Sequence, residues 1–151
     1  MTVEEFRDLV ALWHLGERSD GDVVLAACDL VVAGIDGPGV SALAGVSLRR
    51  PWDEIQPLLG DALLELGLDH HEHNSNEGKA LGLRLMARRT LAGELSAREL
   101  AAWVHDRFGH GLPAAEELAR LDDEYDILEY DDRATTDVDE QVMAEVRRIT
   151  S

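Results

Sequence analysis

The stretch Gly78–Gly109, GKALGLRLMARRTLA-GELS-ARELAAWVHDRFG, decides the fold class. Its first half places Ala80, Leu83, Ala87 and Leu91 on one stripe at helical spacing, with Met86 beside them. Arg84, Arg88 and Arg89 lie mainly on the other side. Ser75 or Asn76 is positioned to cap this helix, and Gly93 is the glycine expected just past its end. Ser96 and Glu99 then form a capping box, in which hydroxyl and carboxylate each satisfy an orphan backbone N–H. Leu100, Trp103, Val104 and Phe108 continue one apolar face, and Gly109 stops it. Two helices joined by so short a turn predict an antiparallel or steeply crossed hairpin at the core.

The rest of the chain reads outward from that hairpin as more helices. Thr2 and Glu5 make a capping box ahead of Phe6, Leu9, Val10 and Trp13, and Gly16 ends the helix. His14 falls at its C-terminal end, where a cation suits the helix dipole. Asp20 is the expected cap of a second helix over 21–33, with Val24, Ala27, Cys28 and Val31 facing inward and Gly34 closing it. Pro38 opens a short third helix that carries Val40, Leu43 and Ala44 inward and ends at Gly45. Asp53 and Gln56 read as a capping pair for a fourth, with Trp52, Ile55, Leu59, Ala62, Leu63 and Leu66 on one face. Pro57 there removes one helical bond or forces a late start, and Gly67 ends the helix. Gly111-Leu112-Pro113 launches a helix bearing Leu118, Leu121, Tyr125 and Leu128. Thr136 or Asp137 caps a last one bearing Val138, Val142, Val146 and Ile149. No run alternates with period two. The fold expected is all-α, a single compact bundle of about seven or eight short helices forming one domain over residues 1–151.

Composition narrows the function. The formal net charge is −17, which opposes nucleic-acid binding and anionic membrane surfaces and favours a basic partner. Half of that charge is local: Leu121–Glu140 holds ten acids against Arg133 alone, a net of −9. Residues 77–98 run the other way, with Lys79, Arg84, Arg88, Arg89 and Arg98 against Glu77 and Glu94, a net of +3, so the acidic segment has an internal docking face available. The lone Cys28 rules out an intrachain disulfide and reads as a small buried hydrophobe. No basic-then-apolar leader opens the chain and no apolar run reaches the length of a membrane span, so the cytoplasm is the expected compartment. A single lysine beside many arginines is the usage of a GC-rich bacterial genome.

Three constellations carry chemistry. Asp69-His70-His71-Glu72-His73 offers three imidazoles and two carboxylates of the kind Zn²⁺ or Ni²⁺ takes, but adjacent residues converge on one ion only if the loop wraps it, and the HExxH spacing is absent. Arg98 and His105 stand two helical turns apart, the loose R-x6-H signature of HEPN-type ribonucleases, in which Arg98 would hold phosphate and His105 would move a proton. The acidic segment, with Asp122, Asp123, Tyr125, Asp126, Tyr130, Asp131 and Asp132, is a surface for a basic protein, since tyrosines give contact area and carboxylates pair with Arg and Lys. It lacks the EF-hand pattern. No catalytic residue, metal ligand or cofactor is assigned.

The block Asp36-Gly37-Pro38 through Gly45, the helix ending Ala62-Leu63-Leu64-Glu65-Leu66-Gly67, and Ala92-Gly93-Glu94-Leu95-Ser96 resemble a group of small, uncharacterised actinobacterial helical proteins. The C-terminal half, ending in the helix Asp139–Ile149, resembles the colicin D-type immunity proteins. That resemblance implies a non-catalytic acidic protein that neutralises a basic toxin nuclease. Two alternatives stand beside it: an enzyme, either HEPN-like or metal-dependent, and a structural homodimer.

Overall fold

A computed structural model describes all residues, Met1–Ser151. It is all-α, with eight α-helices, one short 3-10 turn and no strand. The chain divides into two compact units, Met1–Lys79 and Ala80–Ser151.

The first unit contains α1 (Val3–His14), α2 (Asp20–Val32), α3 (Pro38–Ala44) and α4 (Pro51–Glu65). The Thr2–Glu5 capping box forms as read from the sequence, with Glu5 N donating to Thr2 Oγ1 at 3.0 Å. For α2 the cap is Ser19, one residue earlier than expected, because Asp22 reaches back to Ser19 N at 3.0 Å and closes a box that Asp20 has no partner to make. Asp20 instead accepts a hydrogen bond from Trp13 Nε1 at 2.6 Å, tying α2 to α1. Phe6 and Trp13 from α1, Val23 and Leu30 from α2, Leu43 from α3 and Leu59 from α4 are buried in one cluster. Each such side chain removed from water contributes about 1.5–3 kcal/mol before chain entropy is charged against it. Cys28 lies at the edge of this core, half-buried, its thiol 3.6 Å from Ala44 O.

The α3–α4 contact is close because Gly39 permits it: a Cβ there would stand 2.9 Å from Ala62 N. The contact also supplies a cap. Gly37, at the α3 N-terminus, has no side chain to offer; Glu65 fills the place from the end of α4, accepting from Gly39 N at 3.1 Å and Val40 N at 3.0 Å. The α4 start differs from the reading of Asp53 as cap. Pro51 takes the first helical position, where its missing N–H costs nothing, so Asp53 lies inside the first turn and Pro57 is carried within the helix.

In the second unit α6 (Ala97–Phe108) packs closely on α7 (Glu116–Tyr130) and α8 (Thr136–Thr150), with the 3-10 turn Pro113–Ala115 leading into α7. Val104, Leu118, Leu121, Tyr125, Val138, Val142 and Val146 are buried. α5 (Asn76–Leu91) begins in the last residues of the first unit. Ser75 caps it, accepting from Gly78 N at 3.1 Å. Its buried residues are Gly82, Leu83, Leu85, Met86, Ala87 and Thr90; Ala80 and Leu91, expected on the stripe, are exposed. Of the two expected arrangements, α5 and α6 do not form a long antiparallel pair. Gly93, at φ 81, turns the chain sharply, and α6 lies against α7 and α8 instead of along α5. The Ser96–Glu99 capping box is present, with Glu99 N donating at 3.0 Å.

Candidate functional site

Titratable groups gather in two places, one in each unit. In the first, α1 delivers His14 and the link before α5 delivers His73. Their Nδ1 atoms lie 3.0 Å apart, so one imidazole donates and the other accepts. Trp13 stacks at 4.7 Å from Trp52, and the Trp52 ring meets His73 at 5.0 Å. His14 Nε2 is buried without a partner. Burial first, then His73, His70 and His71, pull the His14 pKa down to about 4. Desolvation and three neighbouring imidazoles thus oppose the charged form that the α1 terminus favours by about 0.3–1 kcal/mol. His70, His71 and His73 do not converge as a ligand set.

The second gathering surrounds the α6–α7 junction. The sequence-predicted Arg98 and His105 do share a face of α6, but each meets a carboxylate of α7. Arg98 bonds Glu129, and its guanidinium lies 5.5 Å from the centre of the Tyr125 ring. His105 Nδ1 is 2.8 Å from Asp122 Oδ2 and 3.7 Å from Asp123 Oδ1. The hydrogen bond with Asp122, reinforced by Asp123, Asp122 and Asp126 charges, raises the His105 pKa above its usual value. Past the α6 end, His110 Nδ1 is 2.9 Å from Glu116 Oε1 and its Nε2 is 3.3 Å from Asp123 Oδ2. The two imidazole rings are 4.8 Å apart, edge to face. Both helix ends position this group: α6 presents His105 in its last turn, Gly109 at φ 58 redirects the chain, and His110 swings back toward the first turns of α7.

The seven residues expected to form one acidic surface separate. Asp122 and Asp123 belong to the histidine group just described. Tyr125 is withdrawn from the surface: its ring is fully buried, and its hydroxyl donates to Asp139 Oδ1 at 2.5 Å. Burial, and then that hydrogen bond, raise its pKa. Its place on the apolar face of α7, four residues from Leu121 and three from Leu128, explains this better than its acidic neighbours suggested. Asp126, Tyr130, Asp131 and Asp132 are exposed at the end of α7, Tyr130 at 92%. Asp132 adopts φ 53, the left-handed conformation usually taken by glycine, and Arg133 N closes the helix end on Leu128 O at 2.9 Å. Beside it a groove between α7 and α8 is lined by Ile127, Leu128 and Val138 with Glu124 and Asp137 at its rim. Of the basic residues that gave segment 77–98 its positive charge, Arg98 pairs with Glu129 of the acidic helix and Arg89 pairs locally with Glu94.

His110 and Glu116 were not singled out by sequence. The signal was present as a second histidine just past the glycine that ends the His105 helix. The His14–His73 pairing spans 59 residues and had no local signal. Compared with protein-family models, curated proteins and solved structures, the chain matches none. No helix is long and apolar enough to cross a membrane.

Proposed function

We propose that this chain is a non-catalytic, acidic interaction protein of the cytoplasm that binds a basic protein, in the manner of an immunity or inhibitor protein. The contact surface is the end of α7 with Asp126, Tyr130, Asp131 and Asp132. The observation that carries this reading is Tyr130, an aromatic side chain 92% exposed and set among carboxylates. A tyrosine offers a partner a large, rigid contact with little entropy to lose, and exposed carboxylates complement Arg and Lys. Ile127, 56% exposed at the adjoining groove, adds apolar surface. The net charge of −17 supplies long-range attraction for a cationic partner.

The test is affinity capture from the native host with wild type, with the charge reversals Asp126→Lys, Asp131→Lys and Asp132→Lys combined, and with Tyr130→Ala. A basic protein is retained by wild type and released by salt. The triple variant slows its association, and Tyr130→Ala speeds its dissociation. Capture of no basic protein, or equal association with the triple variant, refutes the reading.

A further inference from the structure

We infer that His105, His110 and Asp123 form a binding site for one divalent first-row transition ion, Zn²⁺ above all. The proposal stands apart from the partner surface at the other end of α7 and does not depend on it.

The geometry argues as follows. The ligand atoms of the three residues all lie within 4.8 Å of one another. Asp123 stands between the two imidazoles, one oxygen 3.7 Å from His105 Nδ1 and the other 3.3 Å from His110 Nε2. Zn²⁺ bound at about 2.0–2.2 Å by nitrogen and oxygen in a tetrahedron places its ligands about 3.4 Å apart. The two separations, one to each Asp123 oxygen, bracket that value, and the remaining contraction from a spread of up to 4.8 Å is within reach of side-chain rotation about exposed His110 and Asp123. Three protein ligands with a position left for water is the ligand count of open zinc sites.

Two further carboxylates stand where such a site needs them. Glu116 Oε1 holds His110 Nδ1 at 2.9 Å, leaving Nε2 to face Asp123. A carboxylate on the far nitrogen fixes the ring and strengthens it as a ligand. Asp122 Oδ2, 2.8 Å from His105 Nδ1, orients that ring at the site and releases the nitrogen when the ion takes it. The ligands come from the last turn of α6, the link beyond Gly109 and the second turn of α7. An ion there cross-links α6, the link and α7. Two imidazoles select against Mg²⁺ and Ca²⁺, which prefer all-oxygen shells.

The competing interpretation is that these are ion pairs between imidazolium and carboxylate, with no affinity for a metal. Tag-free full-length protein, stripped with chelator, is titrated calorimetrically with ZnCl₂ near neutral pH, and with CoCl₂ while visible absorption is recorded. The expected result is one ion per chain and the d–d bands of a low-symmetry Co²⁺ site. His110→Gln and Asp123→Asn remove ligands and abolish binding or weaken it by more than the outer carboxylate does. Glu116→Gln, which removes only the outer carboxylate, weakens it by about tenfold or more. Circular dichroism checks that each variant is folded; His110 and Asp123 are exposed, so their loss spares the core. His73→Gln, in the other histidine group, leaves binding unchanged. Mg²⁺ gives no comparable heat. Absence of Zn²⁺ binding by wild type overturns the proposal, as does binding that survives His110→Gln but is lost in His73→Gln.

Discussion

Acidification should weaken the first unit through one imidazole. His14 has its pKa lowered from 6.5 to about 4 in the folded chain, by burial and by His73, His70 and His71. A base whose folded pKa is depressed binds fewer protons than its unfolded counterpart between those two values. Its stability contribution is therefore complete above the unfolded pKa and is lost as pH falls through the window toward about 4. Linkage between those two pKa values gives a loss of about 2 kcal/mol at about pH 5, rising toward about 3 kcal/mol once both states are protonated. Because the ring is only half-buried, solvent screening reduces the first figure to about 1–2 kcal/mol. Urea unfolding followed by tryptophan fluorescence measures it, since Trp13 lies 4.9 Å from His14, and a Trp103→Phe background removes the second unit's signal. His14→Asn keeps a hydrogen-bonding group near the Nδ1 position without a titration, and His14→Phe keeps the shape. Both should lose less stability than wild type between about pH 7.5 and about pH 5, by about 1–2 kcal/mol. Equal losses in wild type and both variants would refute the reasoning. His105 opposes the trend in the second unit: its raised pKa gives stability that is present at low pH and lost as pH rises, which is why the fluorescence must report the first unit alone.

Three other expectations follow from contacts on α3, α7 and α8. Glu65→Ala should destabilise the chain by about 1–2 kcal/mol in urea melts, because two N–H groups at the start of α3 lose the acceptor that Gly37 cannot provide. Tyr125→Phe should cost about 1–2 kcal/mol by the same assay, since the Asp139 carboxylate loses a buried donor and keeps only Thr135 Oγ1 at 3.2 Å. Asp132→Gly should raise the melting temperature, with a gain of up to about 1 kcal/mol from relief of the left-handed backbone, and Asp132→Ala should lower it.

The helices were legible because their signals are local. Thr2 with Glu5 and Ser96 with Glu99 announce two starts that the structure shows as full capping boxes. Gly16, Gly34, Gly67, Gly93 and Gly109 announce ends, and all five have positive φ. Local signals misled where two candidates adjoined: Ser19 outcompeted Asp20 because only Ser19 has an acid three residues on, and Pro51 moved the α4 start ahead of Asp53. What the sequence could not carry was partnership between helices. The Glu65 cap on α3 joins residues 25 and 26 apart, and nothing near Gly37 predicts it. Tyr125 looked like part of an acidic surface when its charge neighbours were read, and like core when its spacing from Leu121 and Leu128 was read; burial followed the spacing. The histidine groups follow the same rule. Charge and residue type named His105 and His73, while helix packing chose Asp123 and His14 as their companions.

That packing also divides the ten carboxylates of the acidic segment into two populations. Asp122, Asp123, Glu124, Glu129, Asp131 and Asp139 already meet His105, His110, Arg120, Arg98, Arg133 and Tyr125. Asp126, Asp132, Asp137 and Glu140 have no hydrogen bond or ion pair. The distinction separates the rate of association from its strength. Steering depends on summed charge sensed over a Debye length of about 8–10 Å, to which paired and unpaired acids both contribute. Contact strength falls to the unpaired acids, because using a paired one requires first breaking its existing bond. Reversal of Asp131, which Arg133 already holds at 3.0 Å, should therefore act mainly on association, whereas reversal of Asp126 or Asp132 should act on dissociation as well. A partner that dissociates faster from the Asp131 variant than from the Asp126 variant would show that Arg133 yields its carboxylate on binding, and the unpaired acids would lose their claim as the contact set.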